Sequence, residues 1–123
     1  MPSLREHLEK SKHNETLADL LATKNDYFDW AVTVLFYAAL HYVDAVLSVS
    51  RLDPLNHAQR HSAMGANDTL RRIFPEYRNL ETMSRNARYF ALPIRAADWK
   101  SMKEDYEILR AHFLGRLGSS STR

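Results

Sequence analysis

Residues 26–51 read DYFDWAVTVLFYAALHYVDAVLSVSR, and this stretch decides the fold. At 100° per residue, Trp30, Thr33, Tyr37, His41, Asp44, Ser48 and Arg51 share an arc of about 80°, while Ala31, Val34, Leu35, Phe36, Ala38, Ala39, Val43, Val46 and Leu47 fill the remainder. A helix that is apolar around most of its circumference is buried. A polar group left unpartnered there costs about 1–3 kcal/mol, so the line of Tyr, His, Asp and Arg must face a cleft, an interface or matching polar groups. That line is where a site is expected; it names no reaction.

Outward from this helix, apolar residues recur at helical rather than alternating spacing, and only 3 Gly and 4 Pro interrupt them. The expected fold class is all-α, an up-and-down bundle of four to five helices. Ser3 caps a first helix whose inner face is expected to be Leu4, Leu8, Leu17, Leu20 and Leu21. The long second helix, roughly 26–50, ends before Asp53-Pro54. A third runs from Asn56 or His57 to Ile73, with Gly65 a weak point. A fourth starts at Pro75 and carries Tyr77, Leu80, Met83, Ala87 and Phe90 to about Ala91. The fifth spans about 97–117, with Trp99, Met102, Tyr106, Leu109, Phe113 and Leu117 as its stripe. One domain over 1–117 is expected, followed by a frayed tail, 118–123.

The second helix offers more apolar surface than one small bundle covers, with Phe28, Val32, Phe36 and Val43 on a side distinct from the polar line. This predicts a homodimer. The absence of cysteine removes disulfides, thiolate catalysis and cysteine-ligated zinc, and suits a reducing cytoplasm. No basic start with an apolar run and small-residue cleavage site opens the chain, so a non-secreted, cytoplasmic protein is expected. His41 and Asp44 argue for a buried helix rather than a membrane span.

The net charge is +2, but it is uneven: residues 1–50 carry four Lys/Arg against seven Asp/Glu, and residues 51–123 carry thirteen against eight. All eight basic residues from Arg51 to Arg95 are arginine, whose planar fork suits phosphates and buried ion pairs. A plainer reading has these arginines pairing at the surface with Asp68, Glu76 and Glu81.

Three polar groupings could carry chemistry. Tyr37, His41 and Asp44 follow one another at spacings of four and three, so neighbours touch. His57, Arg60 and His61 form the second. Ser84, Arg85 and Arg88 form the third, with Glu81 one turn before Arg85 and able to pair with it. Each has a structural alternative: a satisfied core histidine at His41, a capping His57 and solvated His61, or surface ion pairs at Arg85 and Arg88. A divalent-metal hydrolase built on His41, Asp44, His57 and His61 is a third class of reading, but the pattern itself calls for no metal and no cofactor.

The string from Tyr27 to His41, then His57 with Arg60, then Ser84-Arg-Asn-Ala-Arg-Tyr89, resembles small prokaryotic proteins of the HEPN superfamily (higher eukaryotes and prokaryotes nucleotide-binding). The resemblance spans about residues 10–92. It implies a helical bundle that dimerises and acts on or with RNA or nucleotides. The form is either a metal-independent, toxin-type ribonuclease or a non-catalytic partner of a minimal nucleotidyltransferase. The family's ribonuclease signature is an Arg, often followed by a residue such as Asn, and a His between one and two turns further on. Arg85-Asn86 matches its opening, but Phe90, Ala91 and Leu92 stand where the His belongs. Arg51 and His57 match it only across Asp53-Pro54, which no continuous helix contains.

The expectation is therefore an HEPN-like RNA- or nucleotide-associated module with a variant site. Arg85, His57 and His41 are its candidate catalytic residues. Tyr37, Asp44, Arg60, Ser84 and Arg88 line its phosphate or ligand cleft. The alternative is a non-catalytic interaction module in which the same polar line is a buried network.

Overall fold

The computed structural model describes residues 1–90 and 92–121, the last six as backbone alone. All regular structure among the described residues is helical: α1 (Leu4–Ala22), α2 (Phe28–Val49), α3 (His57–Gly65), α4 (Asp68–Arg71), α5 (Phe74–Tyr89) and α6 (Ala96–Ser121). The third expected helix is in fact two. The Asn67 side chain accepts from the Leu70 backbone N–H and starts α4, so the chain turns after Gly65 instead of continuing to Ile73. Ala91, Leu117 and residues 122–123 lie outside what is described, fully or in their side chains.

Local chemistry sets the helix ends. Ser3 and Glu6 exchange side-chain-to-backbone hydrogen bonds of 3.0 and 3.1 Å, a capping box that starts α1. Asn56 caps α3 by accepting from the Gln59 N–H at 2.8 Å. Pro75 sits in the first turn of α5, where its missing N–H would have no helical partner.

The C-terminus of α2 is closed by two backbone bonds, Arg51 N–H to Ser48 C=O and Leu52 N–H to Leu47 C=O, both 3.0 Å. This closure needs a left-handed residue, and the chain supplies Arg51 at φ 59° where glycine is usual. Arg51 therefore belongs to the cap, off the helical arc on which the periodicity had placed it.

α2 is the central helix and packs against α1, α5 and α6. Its register with α1 is antiparallel: the His7 ring meets His41, and the Ser11 hydroxyl donates to the Ala38 carbonyl at 2.7 Å. The buried face of α1 is His7, Ser11, Asn14 and Ala18, not the expected leucine face. Leu8 packs on the core, but Leu17 and Leu20 are exposed. Small and polar side chains facing Ala38 and Ala39 let two backbones approach, which a leucine stripe would have held apart. On α6, Met102, Tyr106, Leu109 and Phe113 are buried as expected, with Trp99 at the edge. Tyr42 of α2 packs its ring against Tyr106 and Phe113. Phe90, expected in the core of α5, lies at the helix end and points to solvent.

Phe28, Val32, Phe36 and Val43 are all covered within the chain, the latter three completely. The apolar excess assigned to a second copy is thus absorbed by α1, α5 and α6. Among the described helices, α2 alone is long and apolar enough to cross a membrane, and 67% of that segment is buried against its neighbours.

Replacing Arg51 with Gly removes the cost of holding an L-residue in the left-handed region. Arg51→Gly should raise stability by about 1 kcal/mol, or the melting temperature by about 3–5 °C. A lower melting temperature would show that the Arg51 side chain makes a stabilising contact that outweighs its backbone strain.

Candidate functional site

The polar line of α2 is the one strip of that helix its neighbours leave partly open. Trp30 is exposed and Val34, Tyr37, His41 and Ser48 are half-buried, whereas the rest of the helix is largely closed. α5 presents a matching strip, because Arg78, Glu81, Arg85 and Arg88 recur every three or four residues and share a face. α3 lies across the two strips and supplies His57, Arg60 and His61.

Two carboxylates anchor this arrangement. Asp44 of α2 is buried and receives Arg60 in a two-pronged pair, Nε to Oδ1 at 2.8 Å and Nη2 to Oδ2 at 3.1 Å. Both side chains are 9% exposed. Glu81 of α5 is only 2% exposed and gathers three cationic or N–H-bearing groups. His61 Nε2 lies 3.0 Å from each of its oxygens, His57 Nδ1 lies 3.4 Å from Oε2, and Arg78 pairs with Oε1. Between the two acids stands Tyr77, fully buried, its hydroxyl without a hydrogen-bond partner among the described residues. Burial pushes that phenol far above its usual range.

Further along the groove, Arg88 donates from Nη1 to the Tyr37 hydroxyl at 2.8 Å. It also donates from Nε and Nη2 to the Ser84 carbonyl and hydroxyl, each at 3.2 Å. Its guanidinium lies 5.6 Å from the Tyr37 ring centroid and 5.0 Å from that of Tyr89.

His57 sits beside Phe36, ring centroids 6.0 Å apart, with nearly half of its side chain exposed. Burial lowers its pKa; Glu81 pulls the other way, and the charges of Arg60, His61 and Arg85 add to the lowering. At neutral pH the ring is therefore uncharged. The tautomer that suits Glu81 carries its proton on Nδ1, which leaves the Nε2 lone pair free. His41 is also held below the usual imidazole range, by burial first and by His7 second.

The candidate residues do not form one cluster. Tyr37, Ser84 and Arg88 come together, Asp44 closes on Arg60, and Arg85 acts on His57 only through its charge, which adds to the lowering of the imidazole pKa. His41 turns instead to α1, where its Nδ1 meets His7 Nδ1 at 3.1 Å. Glu81, the residue on which the most groups converge, figures in the sequence only as a surface partner for nearby arginines, Arg85 among them. Its true partners are Arg78, His57 and His61, while Arg85 is exposed and makes no ion pair among the described residues. Of the acids expected to pair with arginines at the surface, Asp68 does so, with Arg71. Among the described residues no group of three or more His, Cys, Asp or Glu side chains is arranged to hold a metal ion. Asp44 in particular has both oxygens committed to Arg60.

Compared with protein-family models, with curated proteins and with solved structures, the chain shows no significant match. The site is accordingly read from its own geometry.

Removing one member of the buried pair strands the other charge. Asp44→Ala should cost about 3–5 kcal/mol in urea unfolding, and most of this should return in the Asp44→Leu/Arg60→Met double variant. Equal losses in the single and double variants would mean that packing volume, and not the stranded guanidinium, sets the cost.

A lowered histidine pKa makes the folded state bind fewer protons than the unfolded one. Stability should hold at neutral pH and fall as pH drops below the ordinary imidazole value of about 6.5, levelling only beneath the folded-state values of His41 and His57. Chemical denaturation from pH 7.5 to 5 checks this. The slope should flatten in His41→Gln and in His57→Gln.

Proposed function

We propose that this chain is an RNA-associated module, acting in the cytoplasm, whose α3–α5 groove cleaves RNA without a metal ion. The observation that carries the reading is His57 set against the buried carboxylate of Glu81, with the charge of Arg85 on α5 acting on the same ring. A neutral imidazole, backed at Nδ1 by a buried carboxylate, offers a free Nε2, and α5 carries an exposed arginine with no ion-pair partner among the described residues. That is the equipment for attack by an RNA 2′-hydroxyl on its own phosphate. His57 Nε2 takes the hydroxyl proton while Arg85 stabilises charge on the non-bridging oxygens. The 5′-oxygen leaves with a proton from solvent, so the products are a 2′,3′-cyclic phosphate and a 5′-hydroxyl. The resemblance to the HEPN superfamily in three separated motifs points the same way.

A second reading is a non-catalytic HEPN-like module that binds a second copy or a minimal nucleotidyltransferase. It is favoured by the α5 C-terminus, where no histidine follows Arg85 and where Arg88 spends three N–H groups on Tyr37 and Ser84.

Cleavage of a labelled RNA pool separates the two. It should persist in EDTA and drop by about 100-fold or more in Arg85→Ala and in His57→Ala, with Arg85→Ala keeping wild-type helicity and melting and His57→Ala keeping wild-type helicity and a cooperative transition. The acid limb of the rate should fall below the ordinary imidazole range, because the base must be unprotonated and its pKa is lowered. Well-folded wild-type protein that leaves the pool intact would establish the second reading.

A further inference from the structure

At the opposite end of the groove from Glu81, a cavity of about 450 Å³ opens between the first turn of α2, the last turn of α5 and the segment leading into α6. Its polar walls are Asp26, Asp29 and Arg88, and its apolar walls include Phe28, Pro93 and Ile94. A smaller hollow of about 100 Å³ shares Asp29 and Arg88 and reaches Trp30. The volume falls in the range of small-ligand sites. None of the groups assigned to RNA cleavage lines it.

Three features define what would fit. Asp29 is half-buried, yet neither it nor Asp26 uses its carboxylate in a hydrogen bond or ion pair among the described residues. Asp29 stands in the first turn of α2, at the end of the helix where the dipole favours a negative group. Arg88 spends one N–H from each of its three nitrogens on Tyr37 and Ser84, which leaves two of its five donors. Trp30, 55% exposed, lines the smaller hollow and offers an aromatic face there.

A carboxylate with free oxygens asks for two adjacent N–H donors, the exposed indole asks for a planar aromatic group, and the spare arginine donors ask for an acceptor or a phosphate. Guanine answers all three: N1–H and N2–H₂ stand side by side on one edge, O6 and N7 accept on the other, and the ring stacks. Adenine and cytosine place an acceptor nitrogen beside their amino group, and uracil flanks its single N–H with two carbonyls. Each would set a lone pair against the Asp29 carboxylate.

We propose that this cavity binds a guanine base, either of a free guanine nucleotide or of single-stranded RNA, in which that edge is unpaired. The proposal rests on the reading of the chain as an RNA-associated module and assigns it a base preference. Asp29 receives the base edge, Trp30 stacks on its face, and Arg88 meets its phosphate or O6.

The test uses Trp99→Phe protein, so that fluorescence reports Trp30 alone, titrated with GMP, AMP, CMP and UMP at constant ionic strength. GMP should bind about tenfold or more tightly than the other three, and Asp29→Asn should erase most of that margin while lowering the melting temperature by no more than about 4 °C. Equal quenching by all four nucleotides, no quenching at millimolar GMP, or an unchanged preference in Asp29→Asn would each overturn the proposal. The oligoribonucleotides UUGUU and UUAUU, titrated alongside, distinguish the sources. Preference for UUGUU assigns the site to RNA, and GMP binding without it assigns the site to the free nucleotide. Cleavage of RNA by protein lacking any guanine preference would overturn the cavity and leave the cleavage reading intact. Guanine binding by protein that neither binds nor cuts RNA would support the cavity and remove that reading.

Discussion

Two acids lie inside this bundle, and neither could stay there alone. Asp44 and Glu81 are buried on facing helices, and an unpaired carboxylate in such a position would carry a desolvation penalty of several kcal/mol. The groups that answer both come from α3, through Arg60 to Asp44 and through His57 and His61 to Glu81, with Arg78 adding a fourth from α5 itself. α3 is anchored in the core by Met64, completely buried, with Ala63 packed beside it. Its charge pairs add to that anchor and answer both acids. The same bonds that satisfy the interior therefore carry His57 to the groove and aim one of its nitrogens outward.

The groove exists because α2 is covered on every side except one. Alanines and small α1 residues bring two backbones together on one flank, and the aromatic contacts of Tyr42 with Tyr106 and Phe113 close the other. Phe36 packs against Tyr77, Tyr37 and His57, so the wall beneath the polar strip is aromatic and rigid. Along that wall the chemistry changes in a graded way. Glu81 and its partners occupy one end, the Arg88–Tyr37–Ser84 bonds the middle, and a mixed acidic and aromatic cavity the other end.

Several features were legible before any coordinates. The central helix, its polar strip and the caps at Ser3 and Asn56 follow from spacing and from side chains that act within a few residues of their own backbone. The face of α1 was misread because leucines outnumber small residues there, and the packing of helix on helix favours whichever face allows the closest approach. Phe90 was misplaced because helical periodicity does not reveal that a helix has ended one residue earlier. The break between α3 and α4 depended on Asn67 as a second cap, a signal present in the sequence but overshadowed by the continuing run of helix-compatible residues.

Taken alone, the sequence determined an all-helical chain built around one buried helix, with His57, Arg85 and Arg88 among the groups able to act on a phosphate, because periodicity and residue chemistry are local properties. Only the tertiary structure decided which of these groups meet. It closed Asp44 on Arg60, gave Glu81 to the two α3 histidines and Arg78, turned His41 toward His7, and left Arg85 and Asp29 with unspent charge. Apart from Arg78 with Glu81, three positions apart on one helix, those pairings join residues between 16 and 34 positions apart, on helices whose crossing no local pattern encodes. They are set by which buried charges must be answered once the apolar faces have closed.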